Sequence, residues 1–372
     1  MVFTWGSSFY LLSVLAGPIS DDTGWSPAWV VGALSLGLLL AGLLSPRVGD
    51  LIGEHGGRPV LSFGCLAIAA GLTVVGLAPV LPVYLLGWLL LGAGMAAGLY
   101  DAGFAALGKL YGKEARRAIS TLTLWGGFAS TATWPLSAYL VGEYGWRVTC
   151  LAYAAIMLLV CLPLIRWQLP AVSTSGRIQA RAAADHVPLN RTERRQFTLL
   201  AAIQVNAGLI STIIAVHVLV LLQGRGLSLT EAVALGALIG PAQVAGRLAE
   251  LAGGQRYHPM WTLTAAVILF GVGLLLLSLG ASLAGVAIIL YGAGNGILSI
   301  ARGSLPLALF GPERYGPLLG RLARPALAAA ATAPTLGALL ITWFGGDGAF
   351  LTVALLAAVN IVLLVFLWRV RS

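Results

Sequence analysis

Apolar runs of membrane-spanning length recur along almost the whole chain, separated by short polar clusters. About 20 apolar residues let a helix cross a hydrocarbon core of roughly 30 Å. The pattern therefore predicts twelve helices, at approximately 3–19, 28–46, 60–79, 82–107, 119–141, 148–167, 197–222, 230–248, 261–280, 283–308, 323–344 and 348–368. Six lie on each side of a polar stretch from Arg166 to Gln196, whose arginines, Ser, Thr, Asn and Pro cannot build an apolar core. The expected fold class is an all-α membrane protein of twelve transmembrane helices in two pseudo-symmetric six-helix bundles, 1–167 and 197–372, joined by a linker over 168–196.

The two halves repeat each other. Leu90–Gly103 reads LLGAGMAAGLYDAG and Leu290–Gly303 reads LYGAGNGILSIARG, so that Gly92, Ala93, Gly94 and Gly103 coincide with Gly292, Ala293, Gly294 and Gly303. Asp101 stands near the end of the first copy and Arg302 one position beyond its counterpart in the second. Parallel repeats that each carry a charge inside an apolar helix point to a membrane transporter.

Composition sharpens the class. Hydrophobic residues make up 59% of the chain and charged residues only 9%, which leaves no room for a soluble domain. If the first helix starts inside, every Lys and Arg except Arg147 and Arg225 falls on the cytoplasmic side. The positive-inside rule then puts both termini in the cytoplasm, within a cytoplasmic membrane. The net charge of +9 is explained by this topology and by anionic lipid, and the scattered basic residues form no nucleic-acid stripe. Cys65, Cys150 and Cys161 lie inside predicted helices and read as core thiols, with no disulfide, metal site or cofactor expected.

The anchor Gly24-Trp-Ser26 matches Gly226-Leu-Ser228, yet only 23 residues precede Gly24 and no positive charge occurs before Arg47. Helix 1 is thus short at its N-terminus. Either the true start lies upstream of Met1, or the helix begins inside the bilayer and relies on its neighbours; no basic n-region or cleavage site marks a signal peptide.

Between helices 2 and 3 runs Pro46-Arg-Val-Gly-Asp-Leu-Ile-Gly-Glu-His-Gly-Gly-Arg-Pro-Val60. This resembles the loop motif of the major facilitator superfamily, G-x-L-x-D-x-x-G-R-R: Gly49, Leu51, Gly56 and Arg58 match, Gly53 occupies the acid position, and acids stand instead at Asp50 and Glu54. In that superfamily the acid caps helix 11 and pairs with arginine, and either carboxylate fits that role here. The second half carries Gly246-Arg-Leu-Ala-Glu-Leu-Ala-Gly-Gly254, which aligns by Gly42 with Gly246 or by Gly49 with Gly246. Gly145-Trp-Arg147 resembles the superfamily's G-W-R before helix 6. Gly24-Trp-Ser-Pro-Ala-Trp29 and Ser45-Pro-Arg-Val-Gly49 are similar to its monocarboxylate-porter-like branch, whose helix 8 has an Asp, three residues, then an Arg that contacts substrate carboxylate. Here the pair is Gln243 and Arg247: the arginine is kept and the acid lost.

The resemblance implies rocking of two bundles about a midplane site. The expected cargo is a small solute, foremost an organic anion such as a monocarboxylate, with protons as a candidate coupled ion. Efflux of a drug-like compound or a metalloid is the alternative, and a non-transporting sensor with the same fold a further one, disfavoured by the lack of a signalling domain. Asp101 is the expected gate or coupling acid, with Arg302 or Arg324 as its partner and an intra-half arginine, Arg116 or Arg117, as the static alternative. Arg247 either binds the substrate anion or answers Glu250. Tyr10, Tyr100, Gln204, Asn206, Asn295 and Ser299, with Ser7 and Ser8, line a cavity if they face inward and otherwise tie helices together. His217 could handle protons, Glu231 marks a helix first turn, and the rings of Trp125 and Trp134 do not by spacing alone form a clamp. No catalytic or nucleotide-binding motif occurs, so no enzyme is expected and energy must come from a gradient. A monomer suffices for this scheme.

Overall fold

A computed structural model describes residues 1–170, 189–253 and 256–371. Among these residues there is no strand and nearly all are α-helical, as expected for backbone that must satisfy its own hydrogen bonds in lipid. The helical runs are α1 (2–23), α2 (Pro27–His55), α3 (Gly57–Gly76), α4 (81–111), α5 (115–144), α6 (146–168), α7 (Arg191–Gln223), α8 (229–253), α9 (Pro259–Leu279), α10 (284–310), α11 (312–344) and α12 (346–371). Gly145, Gly311 and Gly345 adopt φ of 78°, 75° and 69°. These left-handed turns divide helical stretches that are otherwise continuous, and only glycine enters that region without strain. Capping boxes start α7 (Asn190 with Glu193) and α8 (Ser228 with Glu231), each worth about 1 kcal/mol. Glu231 is therefore a cap, as its first-turn position suggested.

Three boundaries depart from the hydropathy reading. The helix expected at 323–344 begins at 312, because Glu313, Arg314 and Arg321 continue the helix beyond its apolar span. The segment read as a loop over 46–60 is helical to His55, so Gly49, Asp50 and Glu54 ride on the last turns of α2, while Gly56, at φ 79°, makes the turn and Arg58 lies in the first turn of α3. The expected linker has only its edges described: α6 ends at Gln168, α7 begins at Arg191, and 171–188 lie outside the described residues.

The chain divides into two compact units, which do not follow the sequence halves strictly. The first comprises Met1–Ala115, Trp125–Val187 and Phe310–Ala331; the second comprises Arg116–Leu124, Pro188–Leu309 and Thr332–Ser372. Each unit thus takes one segment from the other half, 310–331 of α11 in one case and 116–124 of α5 in the other. In the frame that matches Gly92 with Gly292 these two segments are counterparts.

Within the first unit Leu11, Leu15, Ile19, Ile68, Leu72, Tyr84, Trp88 and Tyr153 form the core. The Tyr84 hydroxyl donates to the Val30 carbonyl at 3.1 Å. In the second unit the core is built from Ile210, Ile214, Leu221, Phe270, Leu274, Tyr291 and Phe350. Glycine lets helices touch at matching places in both. A methyl group built on Gly71 would lie 2.8 Å from the backbone of Gly87 and Leu91; one on Gly273 would lie 2.6 Å from Ala287 O and 2.4 Å from Tyr291 N. Gly94 meets Ile68 and Gly64 as Gly294 meets Phe270 and Ala266. The repeat seen in the sequence is therefore a repeat of packing.

A charge pair fastens one end of each unit. Arg147 bonds Asp22 in the first, where Trp146 Nε1 also donates to Asp22 at 3.0 Å. Arg225 Nε donates to Asp347 at 2.6 Å in the second. Gly145 and Gly345, both left-handed, precede Arg147 and Asp347 by the same two residues, so the pair recurs with its signs exchanged.

Candidate functional site

In the first unit two helices are interrupted at neighbouring places. α1 is helical over Val2–Gly6 and Leu12–Thr23, with turns between; Ser8 N and Tyr10 N both reach back to Trp5 O, at 3.4 and 3.0 Å. α4 consists of Leu81–Gly98 and Tyr100–Tyr111, separated by Leu99 in extended conformation (φ −90°, ψ −167°). A methyl group on Gly98 would lie 3.2 Å from the Thr4 side chain, and one on Gly6 would overlap Thr133 of α5 at 2.2 Å, so the bare glycines bring α1 against both neighbours. Neither interruption was legible in the hydropathy, which reads both helices as unbroken; the only hint was the concentration of Gly and Ser at Gly6-Ser-Ser8 and Gly98.

Aromatic rings gather at these breaks. Trp5 contacts Phe9, Tyr10 and Tyr100 with centroids 5.4, 5.9 and 4.9 Å apart, and Tyr10 meets Trp134 of α5 edge-on at 6.1 Å. Tyr100 stacks on Phe104 at 5.3 Å, and its hydroxyl end packs over Gly126, where a methyl would come within 2.2 Å of the oxygen. Tyr10 and Tyr100 are thus brought together through Trp5, which sequence reasoning did not single out. Trp134 joins this group, whereas Trp125 contacts Phe128 instead. Ser7 is fully buried; Ser8 returns its hydroxyl to Thr4 O at 2.6 Å.

Asp101 occupies the first turn of the second half of α4. A carboxylate there sits at the positive end of a half-helix, which offsets part of its desolvation. It lies within electrostatic reach of Tyr315, whose ring packs on Gly108. Arg302 belongs to the second unit.

The second unit carries a polar cluster on α7, α8 and α10. Arg247 is 5% exposed, donating from Nε to Ser299 Oγ at 3.2 Å and from Nη2 to Gln243 Oε1 at 3.4 Å, while its buried Nη1 has no partner. No carboxylate pairs with it among the described residues. Asn295 accepts from Ser211 at 3.0 Å, and Gln204, two turns before Ser211 on α7, is buried with both amide atoms unpartnered. Asn206 is spent elsewhere: its amide donates to Leu356 O at 2.6 Å and Asn360 Oδ1 at 3.0 Å, tying α7 to α12. His217 likewise donates to Pro334 O at 2.9 Å.

Glu250 is not the partner of Arg247. It binds Arg116 Nη2 at 3.1 Å and Thr262 Oγ1 at 2.8 Å, and Arg116 also bonds Thr262 Oγ1 at 3.0 Å and Tyr257 O. This corrects two expectations: Glu250 does not neutralise Arg247, and Arg116 is engaged by Glu250. The network joins 116–124 of α5 to α8 and α9 inside the second unit. The counterpart seam in the first unit joins α2 to 310–331 and is built from glycine. Methyl groups on Gly49 and Gly320 would lie 2.4 Å from Gly316 O and 2.2 Å from Ser45 O. Asp50 lies within electrostatic reach of Arg321 on α11, Glu54 lies 3.8 Å from His55, and Arg324 is exposed with its carbonyl beside Gly42.

The structure also separates the two registers of the repeated loop. Gly92 packs on Gly37 and Gly292 on Ile239, so α2 and α8 correspond with an offset of 202 residues. Matching Gly42 with Gly246 misses this by two residues and matching Gly49 with Gly246 by five. The first register is the nearer one.

The sequence model of the Major Facilitator Superfamily matches residues 1–320. No curated protein matches the chain. Among solved structures, the human organic anion transporter MFSD10 (TETRAN) superposes with a TM-score of 0.74 at 17% identity, covering 98% of this chain and 96% of its own. The E. coli fucose:proton symporter FucP gives 0.72 at 16% identity, covering 98% of each chain. The proton:xylose symporter XylE gives 0.72 at 11% identity, covering 99% of this chain and 92% of its own. At these identities the likeness concerns the fold.

Proposed function

Because the chain belongs to the Major Facilitator Superfamily, and is thus a multi-pass membrane transporter rather than an enzyme, we propose that it moves a small organic anion, foremost a monocarboxylate, and binds its carboxylate at Arg247. The observation that carries this is a buried guanidinium with no carboxylate partner among the described residues. An uncompensated buried charge costs several kcal/mol, and a bound anion removes that cost. Gln243, where the monocarboxylate-porter-like branch has an acid, accepts one hydrogen bond and leaves the charge of Arg247 unneutralised. A carboxylate offers two oxygens to the planar fork, and Nη1 is open to receive one. Ser299 fixes the fork through Nε. The organic anion transporter among the structural relatives supports the same reading.

Energy would come from an ion gradient, as in the two sugar:proton symporters that share the fold. Asp101, at the break of α4, is our choice for the coupling acid: protonation removes its charge and its attraction to the half-helix end. The α2–α11 seam and the Arg116–Glu250 network are the contacts that alternating access would break. Both termini are assigned to the cytoplasm, in a cytoplasmic membrane. Arg147 and Arg225, the exceptions to the positive-inside pattern, are each neutralised by an aspartate, which removes their weight against this orientation.

The test is counterflow of labelled lactate, pyruvate and acetate in proteoliposomes under an imposed pH gradient. Wild type should exchange at least one of them, Arg247→Gln should lose exchange, and Asp101→Asn should keep exchange while losing gradient-driven accumulation. Unchanged exchange in Arg247→Gln refutes the anion site. Failure of wild type to move any carboxylate shifts the assignment to efflux of a neutral or cationic compound.

A further inference from the structure

The first unit holds polar atoms that its own fold does not use. Trp5 Nε1 and Ser7 Oγ are buried without a partner, two residues apart at the interruption of α1, and Ser7 is 0% exposed. Native interiors rarely leave two donors so close together unsatisfied. The Trp5 ring contacts those of Tyr10 and Tyr100, and Tyr10 meets Trp134, so that α1, α4 and α5 contribute to one aromatic group. Trp134 is 44% exposed, so protein does not cover that end of the group.

We propose that the interrupted segments of α1 and α4 form a binding site for a planar unsaturated ring that carries a hydrogen-bond acceptor. The ring lies against Tyr10 and Trp134, and the acceptor takes the Trp5 indole N–H and the Ser7 hydroxyl. Aromatic groups prefer edge-on or offset contact with other rings at centroid separations of 4.5–7 Å, the separations this cluster already displays. A sugar also stacks on aromatic faces, but brings several hydroxyl groups that each need a partner; two open atoms suit a flat ring with one polar substituent. The ring site lies wholly within the first unit, does not depend on the anion assignment of Arg247, and is tested apart from it.

The probes are benzamide and cyclohexanecarboxamide, titrated calorimetrically into the purified full-length protein. Benzamide shares its acceptor with cyclohexanecarboxamide and differs in having a π-face, and neither is charged. Benzamide is expected to bind at least ~10-fold more tightly than the saturated amide. Trp134→Leu and Tyr10→Leu should each weaken benzamide by about 2- to 12-fold, the range measured for aromatic pairs, with Trp134→Phe restoring most of the loss and Ser7→Ala weakening it similarly. Equal binding of the two amides, absence of benzamide binding at millimolar concentration, or an unaltered affinity in folded Trp134→Leu overturns the ring site. Competition by L-fucose that is lost in Trp134→Leu would also overturn it, in favour of a sugar. Loss or survival of carboxylate exchange in Arg247→Gln bears on the anion assignment alone and leaves the ring site standing.

Discussion

Replacement of Arg116 by Met tests whether the ion-pair network is a latch. The side chains of Arg116 and Glu250 are 15% and 11% exposed, and both also bond Thr262, which makes this a largely buried network of three groups. Removing one partner of a buried pair costs about 3–5 kcal/mol, because the remaining charge stays desolvated. The residual exposure of both groups argues for less than this, roughly 2–3 kcal/mol. If 116–124 undocks during the transport cycle, Glu250 regains water in the undocked state and pays that cost only when docked. The docking equilibrium should then shift by about 30- to 160-fold. The reporter is Ser120→Cys: Ser120 is 2% exposed on the same segment, so its thiol reacts with a membrane-impermeant maleimide only when the segment leaves. Labelling should be slow in an otherwise wild-type background in which the native cysteines are replaced by alanine, and faster by one to two orders of magnitude with Arg116→Met. Glu250→Gln, which keeps the bond to Thr262, should give a smaller increase, and the double variant less than the sum. A labelling rate within about 3-fold of the reference in a folded Arg116→Met protein would refute the latch.

Other perturbations read different parts of the molecule. Gly320→Ala places a methyl 2.2 Å from Ser45 O; since backbone cannot yield as a side-chain tip can, the α2–α11 seam should open, which accelerated maleimide labelling of Ser45→Cys would report. Gly126→Ala meets only the hydroxyl end of Tyr100, so thermal stability should change little while benzamide affinity shifts; an unchanged affinity would detach Tyr100 from the ring site. Asn206→Leu removes both ties to α12 and leaves Leu356 O and Asn360 short of a donor, which should cost about 1–3 kcal/mol in melting experiments without altering which solute is exchanged. The Arg147 and Trp146 hydrogen bonds hold the Asp22 carboxyl below the usual carboxylate range. A depressed pKa means that the contribution of this pair is complete above that range and fades only as pH falls through the lower value. The melting difference between wild type and Asp22→Asn should therefore be constant from pH 7 to 5, and its disappearance by pH 5 would contradict the assignment.

Hydropathy and repeats carried the architecture because a bilayer permits so little else: an apolar stretch of sufficient length must be helical and must cross. The same logic failed wherever a helix does something other than cross. α11 starts at 312 although its apolar span starts at 323, since the intervening arginines and Glu313 are helical outside the span. The break at Leu99 lies inside a run whose only charge, Asp101, stands two residues beyond it and fits an unbroken helix equally well. The polar candidates divided by partner rather than by type. Arg247, Ser299 and Gln243 converge, Asn295 finds Ser211, and Asn206 turns to α12, although Asn206 and Gln204 are two residues apart on one helix. Sequence offers the inventory of polar groups, and rotation about the helix axis decides which of them meet.

Repetition then exposes where the two halves have diverged in mechanism. The segments 116–124 and 310–331 are counterparts, and each docks in the unit built mainly from the other half. The second seam holds an acid, Glu250, with the partly buried Arg116. The first has Gly53 where the loop motif calls for an acid, and a methyl built there would meet only Pro317 at 3.6 Å; this seam closes through backbone contact at Gly49, Gly316 and Gly320. A glycine seam gains dispersion and loses little hydration on closing, so salt should scarcely affect it. An ion-paired seam exchanges hydration for Coulomb attraction, a balance that depends on solvent entry. Counterpart segments in one fold therefore close by different physics, and an electrostatic trigger has a firmer purchase on α5 and α8, through the Arg116–Glu250 pair, than on α2 and α11, where Asp50 lies within electrostatic reach of Arg321.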